Sequence, residues 1–176
     1  WLPRSAEVSK TDFAGEELDP SRVKLLPGLE SMVRDPYLCT PTVMVDANAA
    51  RRIGGFDSTL PSAEDIDFFL RICSDRPYAV VQQLMAVCQF RPDSLTKTER
   101  GYRYNLVVLD RLEQAQPAFA STHAELLRQC RLDLYRRSIR GSLFRGDGQS
   151  ARRLLQESRI YGRVAEGRRL YLKSFS

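Results

Sequence analysis

The sequence predicts an α/β segment, a short mixed sheet with helices, followed by an all-α helical tail. Three observations predict it. Up to about residue 97, short β-branched runs alternate with helical apolar spacings; beyond it, apolar residues recur at helical intervals alone. The charge changes sign at the same place. Residues 1–100 carry 12 Lys+Arg and 15 Asp+Glu, a net of −3, whereas residues 101–176 carry 15 and 7, a net of +8. Two units follow, 1–97 and 98–176.

Residues 1–24 are polar and mixed and read as a loop with room for one edge strand. Leu25, Leu29, Met32 and Val33 then recur at helical spacing, which predicts a short helix over 27–34, ended by Asp35-Pro36. Cys39–Val45 reads as a strand, because Thr40, Thr42, Val43 and Val45 are β-branched. Asp46 is a candidate N-cap for a helix over Ala47–Ile53, and Gly54 or Gly55 stops it. Ser62 is the candidate N-cap of the next helix, whose stripe is Ile66, Phe69, Leu70 and Cys73. Arg76-Pro77 ends that helix. Tyr78–Val81 and Leu84–Phe90 read as two strands, or one strand with a bulge, and Arg91-Pro92-Asp93-Ser94 as a loop.

In the tail, Leu106, Leu109, Leu112, Leu126, Leu127 and Leu134 lie on helical repeats. Pro117 and Gly141 are breakers, Gly146-Asp147-Gly148 is a turn, and Ala151, Leu154 and Leu155 open a last helix that Gly162 closes. About four helices are expected.

Several function classes are excluded. No apolar run approaches the roughly 18 residues of a membrane span. Cys39, Cys73, Cys88 and Cys130 form no C-x-x-C pair and have no zinc-knuckle spacing; they read as free, mostly buried thiols of a reducing cytoplasm. With His123 as the single histidine, a histidine base or a two-histidine metal site is not expected; His123 reads as a helix-surface residue.

The informative stretch runs from Thr40 to Thr96. It holds a strand, a short helix, Ile53-Gly54-Gly55-Phe56-Asp57, then Ala63-Glu64-Asp65-Ile66-Asp67-Phe68-Phe69-Leu70-Arg71, a strand pair and Phe90-Arg91-Pro92-Asp93-Ser94. Read from the residues alone, Ser62-x-x-Asp65 is a capping box, and acids in a first turn favour the helix dipole. Asp67 reads as a solvated first-turn acid, Arg71 as the partner of a nearby carboxylate, and Arg91 as a loop charge.

The order GGFD, ED, then a helix with a central Leu-Arg resembles the acceptor-side, C-terminal half of the family 2 glycosyltransferases, which have the GT-A fold. The resemblance covers about 60 residues. It implies transfer of a sugar from a nucleotide-diphosphate donor to an acceptor hydroxyl with inversion. Asp65 would be the catalytic base, within hydrogen-bond reach of the attacking hydroxyl. Glu64 would help place the acceptor, the Gly54-Gly55 turn would let backbone approach the sugar, and Arg91 would close over the donor phosphates.

The family's donor-binding half, which ends in a D-x-D metal motif, has no counterpart here. Asp65-Ile66-Asp67 has the letters but sits in the helix that matches the ED element, so no metal ligand is assigned. Pro92-Asp93 stands where many relatives carry a histidine. The chain starts at Trp1 rather than Met, and a longer parent is expected to supply the nucleotide-sugar site and its Mg or Mn ion. Alone, this chain is expected to hold no cofactor and not to turn over.

Gly146-Asp147-x-x-x-Ala151-Arg152-x-Leu154-Leu155 resembles the start of the second helix of a tetratricopeptide-like pair, and similar tails follow some bacterial family 2 enzymes. Arg136, Arg137, Arg140, Arg145, Arg152, Arg153, Arg159, Arg163, Arg168 and Arg169 crowd this segment. Three readings stay open: a solvated face balanced by the acidic first half, contact with anionic lipid headgroups at the inner face of a membrane, or nucleic acid. No nucleic-acid motif or aromatic-basic interleaving supports the last. A half-domain of this kind should also leave a sheet edge and an apolar face uncovered, for a second copy or for the missing half. A non-catalytic binding module derived from such a fold is the alternative.

Overall fold

The computed structural model describes residues 23–34, 39–81, 86, 99–164, 167, 170, 171 and 174. Arg91, Cys88, Arg168, Arg169 and the expected strand Leu84–Phe90 fall wholly or mostly outside them. The first strand, β1 (Val23–Leu26), pairs antiparallel with β2 (Tyr78–Val81), so that Val23 faces Val81 and Leu25 faces Ala79. Opposed residues share a face. The face made by these four is apolar and exposed, with Val23 at 66% and Leu25 at 69%. Leu25 therefore belongs to a strand, not to the helical stripe that spacing assigned it.

Between the strands lie three helices. Helix α1 (Gly28–Arg34) turns Leu29, Met32 and Val33 inward. It starts hard against the chain just after the third helix: a Cβ on Gly28 would clash with the carbonyl oxygens of Cys73 and Arg76, so no larger residue fits. Helix α2 (Ala47–Arg52) is capped as its sequence predicts, with the Ala49 amide donating to Asp46 Oδ1 at 2.7 Å. Helix α3 (Glu64–Ile72) buries Phe68, Phe69, Leu70 and Ile72.

Two expectations fail here. Cys39–Val45 does not form a ladder strand. Thr40–Thr42 is a 3-10 turn in which Pro41 has no N–H to offer, and Val43 is extended beyond it. Nor does Ser62 cap α3. The N-cap position is Ala63, in the left-handed region at φ 62°, with no side-chain cap bond.

The remaining described chain is helical: α4 (Glu99–Ala115), α5 (Pro117–Thr122), α6 (Ala124–Phe144) and α7 (Gly148–Glu157), then a 3-10 turn over Ser158–Ile160. Pro117 breaks as expected, separating α4 from α5. Gly141 does not. It lies inside α6, where the packed neighbours Ile139 and Ser142 outweigh its roughly 1 kcal/mol helix penalty. His123 sits at the α5–α6 junction and packs on Phe119 with centroids 4.3 Å apart, rather than on a helix surface.

One core crosses the predicted boundary at 97. Val108, Leu109, Leu112 and Leu127 of the helical segment pack with Met32, Phe68 and Phe69. A second core, around Tyr135, Ile139, Ala151 and Leu154, joins α6 to α7. No helix among the described residues is long and apolar enough to cross a membrane.

Candidate functional site

The GGFD turn, α3 and α4 meet around Arg71. Gly54 and Gly55 have φ of 80° and 69°, a left-handed pair that lets the chain reverse after α2 at little steric cost. The reversal points two carbonyls at α3. Arg71 donates from Nη1 to the Ile53 oxygen at 2.7 Å and from Nη2 to the Gly55 oxygen at 2.8 Å. Its Nε donates to Asp67 Oδ2 at 2.8 Å. The guanidinium fork is thus filled on three sides. One residue on, Phe56 stacks on Phe68 of α3, with centroids 4.5 Å apart.

Asp67 departs from its expected role as a solvated acid. It is buried, at 5% exposure. The i,i+4 spacing to Arg71 pairs the two on one side of α3, and Arg111 from α4 approaches from the other element, 3.9 Å from Asp67 Oδ1. Arg71, for its part, pairs with a carboxylate as its sequence position suggested.

Asp57 completes the cluster. Thr59 gives its Oδ1 both a hydroxyl and an amide hydrogen bond, at 2.7 and 2.8 Å, and Arg111 Nη1 donates to Oδ2 at 2.6 Å. The Thr59 bonds first, and Arg111 after them, hold the Asp57 carboxyl down to about 2. Asp57, Asp67, Arg71 and Arg111 border a cavity of about 780 Å³ between the turn and α4, lined also by Gly54, Gly55 and Phe56. That is within the range of small-ligand sites, about 300–1,000 Å³.

Asp65 lies elsewhere on α3. Residues two apart on a helix project about 200° from one another, so Asp65 turns away from the cavity that Asp67 borders. Its Oδ2 accepts from the Thr40 hydroxyl at 3.3 Å and its Oδ1 from the Ile66 amide at 2.8 Å. Glu64 beside it is exposed. The structure therefore separates the named residues: Gly54 and Gly55 line the cavity, Glu64 and Asp65 stand together outside its lining, and Arg91 lies outside the described residues.

Sequence reasoning missed Asp57 and Arg111 as a pair. Asp57 is visible as the last letter of GGFD, but Arg111 is 54 residues away on an amphipathic helix with no local signal. Among the described residues, no group of three or more His, Cys, Asp or Glu is placed to hold a metal ion. Cys39, Cys73 and Cys130 are free thiols; burial pushes Cys73 up to about 11. Comparison with family models, curated proteins and solved structures finds no match for the chain.

Proposed function

We propose that the chain is the acceptor-side half of an inverting family 2 glycosyltransferase of GT-A fold, acting on a saccharide or lipid-linked acceptor. The supporting observation is that the separated motif pieces pack as one unit. The Arg of the Leu-Arg pair holds the carbonyls of the Gly-Gly turn, and the Phe of GGFD stacks on the helix that carries Glu64-Asp65. That packing gives a physical reason for the order of the motifs, which spacing alone lacks.

A second feature supports Asp65. Ala63, one residue before Glu64, holds a left-handed backbone at φ 62°. It is the non-glycine residue with positive φ among those described, and such strain gathers at functional sites. It fixes how α3 begins, and so where Asp65 stands. In this reading the Asp65 carboxylate takes the proton from the acceptor hydroxyl as that oxygen attacks the anomeric carbon. The nucleoside diphosphate departs from the opposite face, which inverts the centre. Glu64 helps seat the acceptor. In this reading the donor site, with its Mg or Mn, would lie in a donor-binding half, and the apolar face of Val23, Leu25, Ala79 and Val81 is where such a half would pack.

The alternative is a non-catalytic binding module built on the same scaffold. One observation favours it: Glu64 and Asp65 do not border the cavity. Transfer by a chain that joins this half to its donor-binding half separates the two. Asp65→Asn should lower kcat by about 10²–10⁴-fold, the usual worth of a general base. An unchanged rate removes Asp65 from the mechanism and leaves the binding module.

A further inference from the structure

We infer that the cavity between the Gly54–Gly55 turn and α4 is a subsite for a neutral sugar ring of the acceptor, held by Asp67, Arg111 and Phe56. The inference deepens the transferase reading and rests on it for the choice of substrate class.

The charges in the lining cancel. Asp57 and Asp67 face Arg71 and Arg111, and the other lining residues are uncharged. A phosphate or uronate would meet no net positive field. What stays open is hydrogen-bonding capacity of both kinds. Asp67 is 95% buried by the complement of its 5% exposure, yet borders the cavity. Its Oδ2 is taken by Arg71, while its Oδ1 has Arg111 Nη1 at 3.9 Å, beyond hydrogen-bond reach. That oxygen has room for a donor, and a ligand hydroxyl in the cavity would supply one. Arg111 spends Nη1 on Asp57 at 2.6 Å; its Nε and Nη2 make no hydrogen bond among the described residues. An acceptor oxygen and two donor nitrogens thus border one space. Adjacent hydroxyls on a sugar ring use this combination, one donating to the carboxylate and the next accepting from the guanidinium.

Phe56 supplies the apolar element. One face of its ring stacks on Phe68, yet the residue is 52% exposed, so the other face is open beside the cavity. The negative face of an aromatic ring suits the weakly positive C–H groups on one side of a pyranose. Since Asp65 is not in the lining, the subsite would hold a part of the acceptor remote from the reacting hydroxyl, where binding energy serves positioning.

The test is a titration of the full chain, followed by ¹H–¹⁵N NMR at the Gly54 and Gly55 amides and the Arg111 Nε–H. The probes are methyl β-cellobioside, lactose and N,N′-diacetylchitobiose, with inorganic phosphate and glucuronate as anionic comparisons. At least one neutral disaccharide should shift all three resonances at up to about 10 mM, above the ~1 mM dissociation constant of a weak site. Arg111→Leu and Phe56→Ala, each confirmed folded by circular dichroism, should weaken that binding about tenfold. Tighter binding of phosphate or glucuronate at these resonances overturns the inference. So does silence from all three neutral probes, or full affinity in either folded variant. Binding is read without turnover, so it fails or stands separately from the Asp65→Asn test of transfer.

Discussion

The Arg71 guanidinium bridges to the carbonyl of Gly55, 16 residues earlier, with Nη2 to oxygen at 2.8 Å. The bond ties the turn after α2 to the last turn of α3. A turn with two positive-φ glycines has little stiffness of its own, because glycine has the most backbone freedom to lose. Arg71 replaces that missing stiffness from outside. Three bonds from one side chain fix the turn, the helix and the buried Asp67 together.

Arg71→Met should therefore destabilise the chain by about 2–4 kcal/mol. It removes three charge-assisted bonds and leaves Asp67 buried without its close partner. Arg71→Lys should cost nearly as much, since an ammonium cannot fork to two carbonyls and a carboxylate. Urea denaturation measures both. A Met variant within about 0.5 kcal/mol of the parent would show that the turn holds itself, as an ordinary surface site does.

How much of this was legible varies by element. Helix α2 could be read outright, because its cap, Asp46, and its stop, Gly54-Gly55, are both local signals. The start of α3 could not. Ser62 satisfies the letters of a cap, but the backbone enters α3 through a left-handed Ala63, and no letter announces that. Cys39–Val45 has the β-branched content of a strand, yet a strand needs a partner, and the ladder of β1 goes to β2 instead. The same limit hid the cavity. Asp67 and Arg71 share an i,i+4 spacing that any reader of helices can pair, but the Arg111–Asp57 contact depends on how α4 packs, which is tertiary. Local chemistry is written in sequence; the wall supplied by a distant helix is not.

The Asp57 carboxyl gives a pH prediction. Its folded value, about 2, lies below the ordinary 3.8. A depressed carboxyl contributes stability that is fully present above the unfolded value and is lost as pH falls through the folded one. The Asp57 contribution should therefore hold above pH ~4 and disappear between about 4 and 2. Thr59→Val removes the hydroxyl bond, the largest single cause, and leaves the amide bond, while Arg111→Leu removes the guanidinium's bond and charge; each should raise the Asp57 titration midpoint. Carbon-detected NMR of the Asp57 side-chain carboxyl across pH 2–5 reads each midpoint. A midpoint left unmoved by either substitution would remove that side chain from the set that holds Asp57.

Arg131 presents the opposite problem, a cation inside the helical segment at 4% exposure. Its Nη2 reaches Asp110 at 2.8 Å and Glu113 at 2.9 Å on α4, and its guanidinium lies 5.4 Å from the Tyr161 ring centroid. Both carboxylates are well exposed, 56% and 38% by side chain, so water takes over when the cation is removed. The buried Nη1 has no hydrogen-bond partner, which already subtracts from the worth of the charge. What Arg131 contributes is then mostly the packing of its stem between α4, α6 and Tyr161. Arg131→Met keeps that volume and should change stability by no more than about 1 kcal/mol, whereas Arg131→Ala should cost about 2–4 kcal/mol through the space it leaves. Thermal and urea unfolding of the two variants decide the point. Equal losses in both would mean that the ion pairs, not the stem, hold α6 against α4.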